Sequence, residues 1–153
     1  MTTREPRSRP SPEARSRYAH FVELTTRWLD NDAYRHVNNV VYYSFFDTAV
    51  NQYMLSQGVL DLESGEMVSL VAETGCSFFA PISFPDRVHC GLRVAHIGTS
   101  SVRYEIAVFR NDDALSAARG HFVHVCCDRR THAPVAMPAA LRAALERLRV
   151  EPA

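Results

Sequence analysis

The sequence predicts an α+β domain in which one antiparallel sheet wraps around one long central helix. Two observations carry this reading. A half-buried strand is followed by a helix with almost no charge, and then by a series of strand-like runs with turn signals between them. A helix so poor in charge has to be covered over most of its circumference, and a sheet curled around it does so with few elements.

His20 to Trp28 alternates, with Val22, Leu24, Thr26 and Trp28 on one face and Phe21, Glu23, Thr25 and Arg27 on the other, which predicts the first strand. A polar loop, Asp30 to Asn39, follows. From Val40 to Ser56, apolar Tyr42, Phe45, Phe46, Ala49, Val50, Tyr53 and Met54 recur at helical spacing. Asn38 or Asn39 suits the N-cap of this helix and Gly58 its stop. Met67–Phe79, Arg87–Ile97, Ser101–Arg110 and Ala117–Asp128 then read as strands, separated by Pro81 to Pro85, Gly98 and Asn111-Asp112-Asp113. Pro134 to Met137 is a candidate last strand. Pro138 to Val150 predicts a terminal helix with Leu141, Ala144, Leu145 and Leu148 on one side. These elements form a single domain over residues 18–150. Residues 1–17 carry five arginines and three prolines and are expected to be a disordered tail.

Composition narrows the function. The 153 residues suffice for one domain with a real core, and seventeen basic residues balance seventeen acidic ones. That balance argues against a nucleic-acid partner. No apolar run is long enough to span a membrane and the N-terminus has no secretory pattern, so a cytoplasmic protein is expected. Cys76, Cys90, Cys126 and Cys127 form no Cys-x-x-Cys pair and read as free thiols in a reducing compartment. Gly-x-Ser-x-Gly, dinucleotide-binding and P-loop patterns are missing. His121 and His124 are three apart on a strand and face opposite sides, so they are no metal pair; no metal is expected.

The chemistry concentrates between Trp28 and Asp47. Asp30 and Asp32, His36, and Asn38 and Asn39 lead straight into the apolar helix. A carboxylate beside a helix N-terminus is suited to attack on a carbonyl, because the helix end offers positive potential and free N–H groups where negative charge develops.

The pattern Asp30-x-Asp32-x-x-x-His36-Val37-Asn38-Asn39, followed by a Tyr- and Phe-rich helix, resembles the hot-dog-fold acyl-thioesterases of the 4-hydroxybenzoyl-CoA thioesterase-like family. The likeness extends from Tyr18 to Met137 and is sharp from Trp28 to Asp47. It implies the hot-dog fold, hydrolysis of an acyl- or aroyl-CoA without a cofactor beyond the CoA of the substrate, and assembly as a homodimer or homotetramer with the site near the subunit interface. It also implies that Asp32 is the catalytic carboxylate, as nucleophile or general base, and that the Asn39 N–H holds the oxyanion. His36 is a candidate to orient Asp32 or water. In the plant-type acyl-ACP thioesterases an Asn stands between the Asp and the His; that position is Tyr34 in this chain.

Asn38, Tyr42 and Phe46 are expected around the substrate, and so are Gly98 and Ser100 of the Ile97 to Ser101 turn. Asp47 with Asn51, and Glu73, are further candidates for the cleft. Arg87, Arg93, Arg129 and Arg130 are candidates for the CoA phosphates. The competing readings are an acyl-ACP thioesterase and a non-catalytic protein that binds acyl-CoA.

Overall fold

In a computed structural model, which describes residues 8–151, the element order is β1 (His20–Thr25), α1 (Asn39–Ser56), β2 (Met67–Phe78), β3 (Arg87–Ile97), β4 (Ser101–Arg110), β5 (Ala118–Asp128) and α2 (Ala139–Glu146). The five strands form one antiparallel sheet in the order β1-β3-β4-β5-β2. The long helix packs against one face, and the architecture is the hot-dog fold.

Alternation along the strands decides what meets the helix. Val88, Cys90 and Leu92 of β3, and Ile106 and Val108 of β4, are fully buried beneath α1, which supplies Phe46, Ala49 and Val50 at 0% exposure. Burying each of the Val, Leu, Ile and Phe side chains among them contributes roughly 1.5–3 kcal/mol. Gly120 on β5 lies directly below Phe46: a Cβ there would collide with the Phe46 ring and with the Gly75 carbonyl, so close packing excludes any larger residue. At the far end of α1 the Tyr53 hydroxyl donates to the Ala144 carbonyl at 2.6 Å and ties α2 to the core.

Besides α2, which stops at Glu146 where Val150 was expected, three features differ from the sequence expectation. The first strand ends at Thr25, and Trp28–Asp30 form a 3-10 turn that leaves Trp28 77% exposed. Buried Asp30 causes this, because its carboxylate accepts from the Arg27 N–H at 2.7 Å and from the Arg27 guanidinium, curling the chain before the alternation can continue. Pro134 makes only an isolated bridge to Cys127 instead of starting a strand.

The third difference is at the N-terminus. Residues 1–7 of the expected tail lie outside the described residues, but from Glu13 the chain is docked. Glu13 sits among arginines, bound by Arg93 at 2.7 and 3.1 Å, by Arg119, and by Arg17 at 3.5 Å. Arg15 donates to the carbonyls of Asn111 and Asp113, and Tyr18 covers Gly91 and meets Phe109 edge-on. These contacts cover part of the sheet face turned away from α1.

Candidate active site at the start of the long helix

Two short-range devices fix the loop that enters α1. Asn31 bridges Val37, and the Asp32 N–H donates to the His36 carbonyl at 2.9 Å, so residues 31–37 close on themselves. Arg35, at φ 64°, makes the reversal in the left-handed region. The loop is then strapped to the segment before β3. Val37 N–H donates to the Ile82 carbonyl at 2.7 Å, the Ser83 hydroxyl donates to the Arg35 carbonyl, and the Phe84 N–H donates to Asn31 Oδ1. Asn38 N–H donates to the Asp30 carbonyl at 2.9 Å.

Asn38 is the N-cap. Its Oδ1 accepts from the Val40 N–H at 3.1 Å, and its carbonyl accepts from the Val41 N–H at 2.9 Å. The Asn39 N–H finds no acceptor among the described residues. It stands free at the positive end of an eighteen-residue helix, a ready donor to a developing anion.

A groove of about 390 Å³ opens beside this N–H, lined by His36, Val37, Asn39, Tyr42, Phe78, Phe79, Ala80 and Pro81. Tyr42 is 3% exposed and meets Phe45 at 5.8 Å and Phe78 at 4.9 Å. Burial, assisted by nearby Cys76, pushes its hydroxyl up to about 12, so it stays protonated. Asp32 is tied to the groove-lining His36 through the backbone, its N–H donating to the His36 carbonyl, and does not itself line the groove. Its Oδ1 accepts from the Tyr34 N–H at 2.8 Å, which holds the carboxylate in place and leaves Oδ2 without a protein donor among the described residues. The fold therefore gathers Asp32, His36, Asn38, Asn39 and Tyr42 at one end of α1.

The other sequence candidates lie elsewhere or act differently. His36 engages Asp32 through its carbonyl, and its exposed ring makes no hydrogen bond to the carboxylate. Phe46, expected at the substrate, is 0% exposed and packs edge-on against Tyr43 and Phe122 in the core below the groove. Gly98 and Ser100 belong to the β3–β4 turn, at the opposite end of the sheet from the groove. There the Gly98 carbonyl accepts from Arg142 and the Ser100 carbonyl from the Cys126 N–H. Glu73 pairs with His121 at 2.8 Å, on the opposite face of β5 from His124. Asn51 donates to Asp47 Oδ1 and to its carbonyl, so this pair satisfies itself on the surface of α1.

Three of the four arginine candidates have protein partners. Arg93 is held by Glu13 and Glu105, Arg87 by Glu23, and Arg129 by the carbonyls of Leu62 and Glu63. Among the described residues no group of three or more His, Cys, Asp or Glu is arranged to hold a metal ion.

The sequence reading missed the buried environment of His124. Its side chain is 3% exposed with neither ring nitrogen bonded, against Tyr104 and Phe122. The alternation of β5 places this residue inward, but only the packing of α1 over it removes its partners.

Comparison with known proteins agrees with this fold. The thioesterase-like superfamily matches residues 26–145. A crystal structure of a protein from Pseudomonas aeruginosa strain PAO1 superposes with a TM-score of 0.89 at 50% identity, covering 91% of this chain and 97% of that one. A 1,4-dihydroxy-2-naphthoyl-CoA thioesterase from Synechocystis shares the fold, with a TM-score of 0.75 and 19% identity over 82% of this chain and 93% of that one. So does a DHNA-CoA thioesterase from Staphylococcus aureus, with a TM-score of 0.74 and 19% identity over 83% and 86% of the two chains. No curated protein sequence matches the chain.

Proposed function

The chain belongs to the thioesterase-like superfamily, and on that premise we propose that it hydrolyses the thioester of an acyl- or aroyl-coenzyme A to the free carboxylic acid and the CoA thiol. One observation carries the reading: the uncapped Asn39 N–H opens on a largely apolar groove, and Asp32, hydrogen-bonded through one oxygen only, lies on the loop that leads into the same end of α1. An acyl group lying in the groove would bring its carbonyl oxygen to the helix end, where charge builds as the carbon becomes tetrahedral.

Asp32 then has two routes to the same products. As nucleophile it bonds to the acyl carbon and expels the CoA thiolate, and water cleaves the resulting anhydride to return the carboxylate. As general base it takes a proton from water while the hydroxide adds to the carbon and the thiolate leaves. Isotopic oxygen from water appears in the Asp32 carboxylate only by the first route. The CoA carrier is favoured by structural neighbours that are named as 1,4-dihydroxy-2-naphthoyl-CoA, DHNA-CoA and gentisyl-coenzyme A thioesterases.

The active form is a homodimer, or a homotetramer built from two such dimers. β2 is a twelve-residue edge strand with Leu70, Val71 and Phe78 41%, 49% and 46% exposed, and such an edge calls for a partner. A cytoplasmic location fits four free cysteines and the finding that no helix among the described residues is long and apolar enough to cross a membrane. Release of free thiol from a panel of short, long and aromatic acyl-CoAs tests the activity. Turnover on at least one member is expected, and none on any member would overturn the reading.

A further inference from the structure

An oxyanion is held best by more than one donor, and the helix supplies a single free N–H at this site. Asn38 occupies its neighbours, accepting from Val40 through its side chain and from Val41 through its carbonyl. A second donor to an atom beside Asn39 therefore has to be a side chain lining the groove. The lining offers three: the His36 ring, the Asn39 amide and the Tyr42 hydroxyl. His36 and Asn39 are exposed, so each would lose rotamer freedom on engaging a ligand.

Tyr42 differs from both. It is fixed edge-on between Phe45 and Phe78, it is nearly fully buried, and its hydroxyl has no hydrogen-bond partner among the described residues. The ring is buried, but the hydroxyl is not sealed in: it stays in contact with the groove, so its donor capacity is spare. Helical side chains also lean toward the N-terminus, which carries the Tyr42 ring back toward the turn that bears Asn39.

We propose that the Tyr42 hydroxyl is the second oxyanion donor of this site, acting with the Asn39 N–H on the thioester oxygen. The inference rests on the thioesterase reading and adds to it a catalytic residue within the helix. It also accounts for a tyrosine where the packing alone would accept phenylalanine. Since every thioester presents the same carbonyl, the contribution is common to all acyl groups and is felt in the transition state, not in substrate binding.

The test compares wild type, Tyr42→Phe and Asp32→Asn in full-length protein, measuring kcat and KM for aliphatic and aromatic acyl-CoAs. Phenylalanine keeps the ring contacts, and an unchanged melting temperature verifies the fold. The expected result is a fall in kcat of about 10²-fold or more with KM within about twofold, equal across the panel. A kcat close to wild type would overturn the proposal and leave Tyr42 as packing. A loss confined to acyl groups with a polar substituent would also overturn it, making Tyr42 a specificity contact. A Tyr42→Phe enzyme that keeps full activity while Asp32→Asn is dead sinks the donor alone; a wild type inactive on every acyl-CoA sinks the thioesterase reading and the donor together.

Discussion

Replacing Phe46 with alanine separates a core residue from a substrate contact. The ring is 0% exposed, meets Tyr43 at 5.9 Å and Phe122 at 5.7 Å, and fills the space that Gly120 leaves open. Truncation forfeits the transfer of the ring from water and leaves a cavity that cannot collapse, because the strand backbone at Gly75 and Gly120 forms its floor. The combined cost for such a residue is about 3–5 kcal/mol. For a chain of this length each kcal/mol lowers the melting point by about 2–4 °C, so the variant should melt roughly 6–20 °C below wild type. Phe46→Leu should lose only about 1 kcal/mol. The assay is thermal unfolding followed by circular dichroism, paired with KM for acyl-CoA on whichever variant stays folded. If Phe46→Ala melted with the wild type while KM rose sharply, Phe46 would line the acyl pocket and the packing argument would fail.

Two further predictions concern the helix start and the buried histidine. Asn38→Ala removes the cap on the Val40 N–H and should cost about 1 kcal/mol, read as a melting point about 2–4 °C lower, whereas Asn38→Ser should recover most of it; equal melting of all three would refute the cap. His124 has its pKa lowered from 6.5 by burial, with the charge of Asp47 pulling the other way. The unfolded chain therefore binds a proton that the folded chain refuses. Stability is full above pH 6.5 and declines as the pH falls from there toward the folded pKa. His124→Leu should flatten that decline in melting temperature, and an unaltered slope would show that the imidazole finds a partner in solution.

The fold was legible because its signals are local. β3 and β4 run over the residues that alternation and turn chemistry marked, since Gly98 and Asn111-Asp112-Asp113 break the chain whatever surrounds them. The helix was legible from its spacing. The loop's chemistry was legible only as a set of residues. Which of them converge depends on contacts with residues 82–84, distant in sequence, and nothing in the loop itself predicts those.

The failures share a cause. Trp28 continued an alternation that a buried carboxylate two residues later interrupts. Glu13 belongs to the segment expected to be a tail, but its partners Arg93 and Arg119 lie on strands whose register is a property of the whole sheet.

The central claim is that Asp32 attacks, directly or through water, a carbonyl held at the helix start. Asp32→Asn tests it most cleanly, because the amide oxygen can still accept from the Tyr34 N–H and so preserve the loop. With melting temperature unchanged, thiol release from the best acyl-CoA of the panel should fall by roughly three orders of magnitude. Turnover close to wild type in a folded Asp32→Asn protein would contradict the account and move the chemistry to another carboxylate.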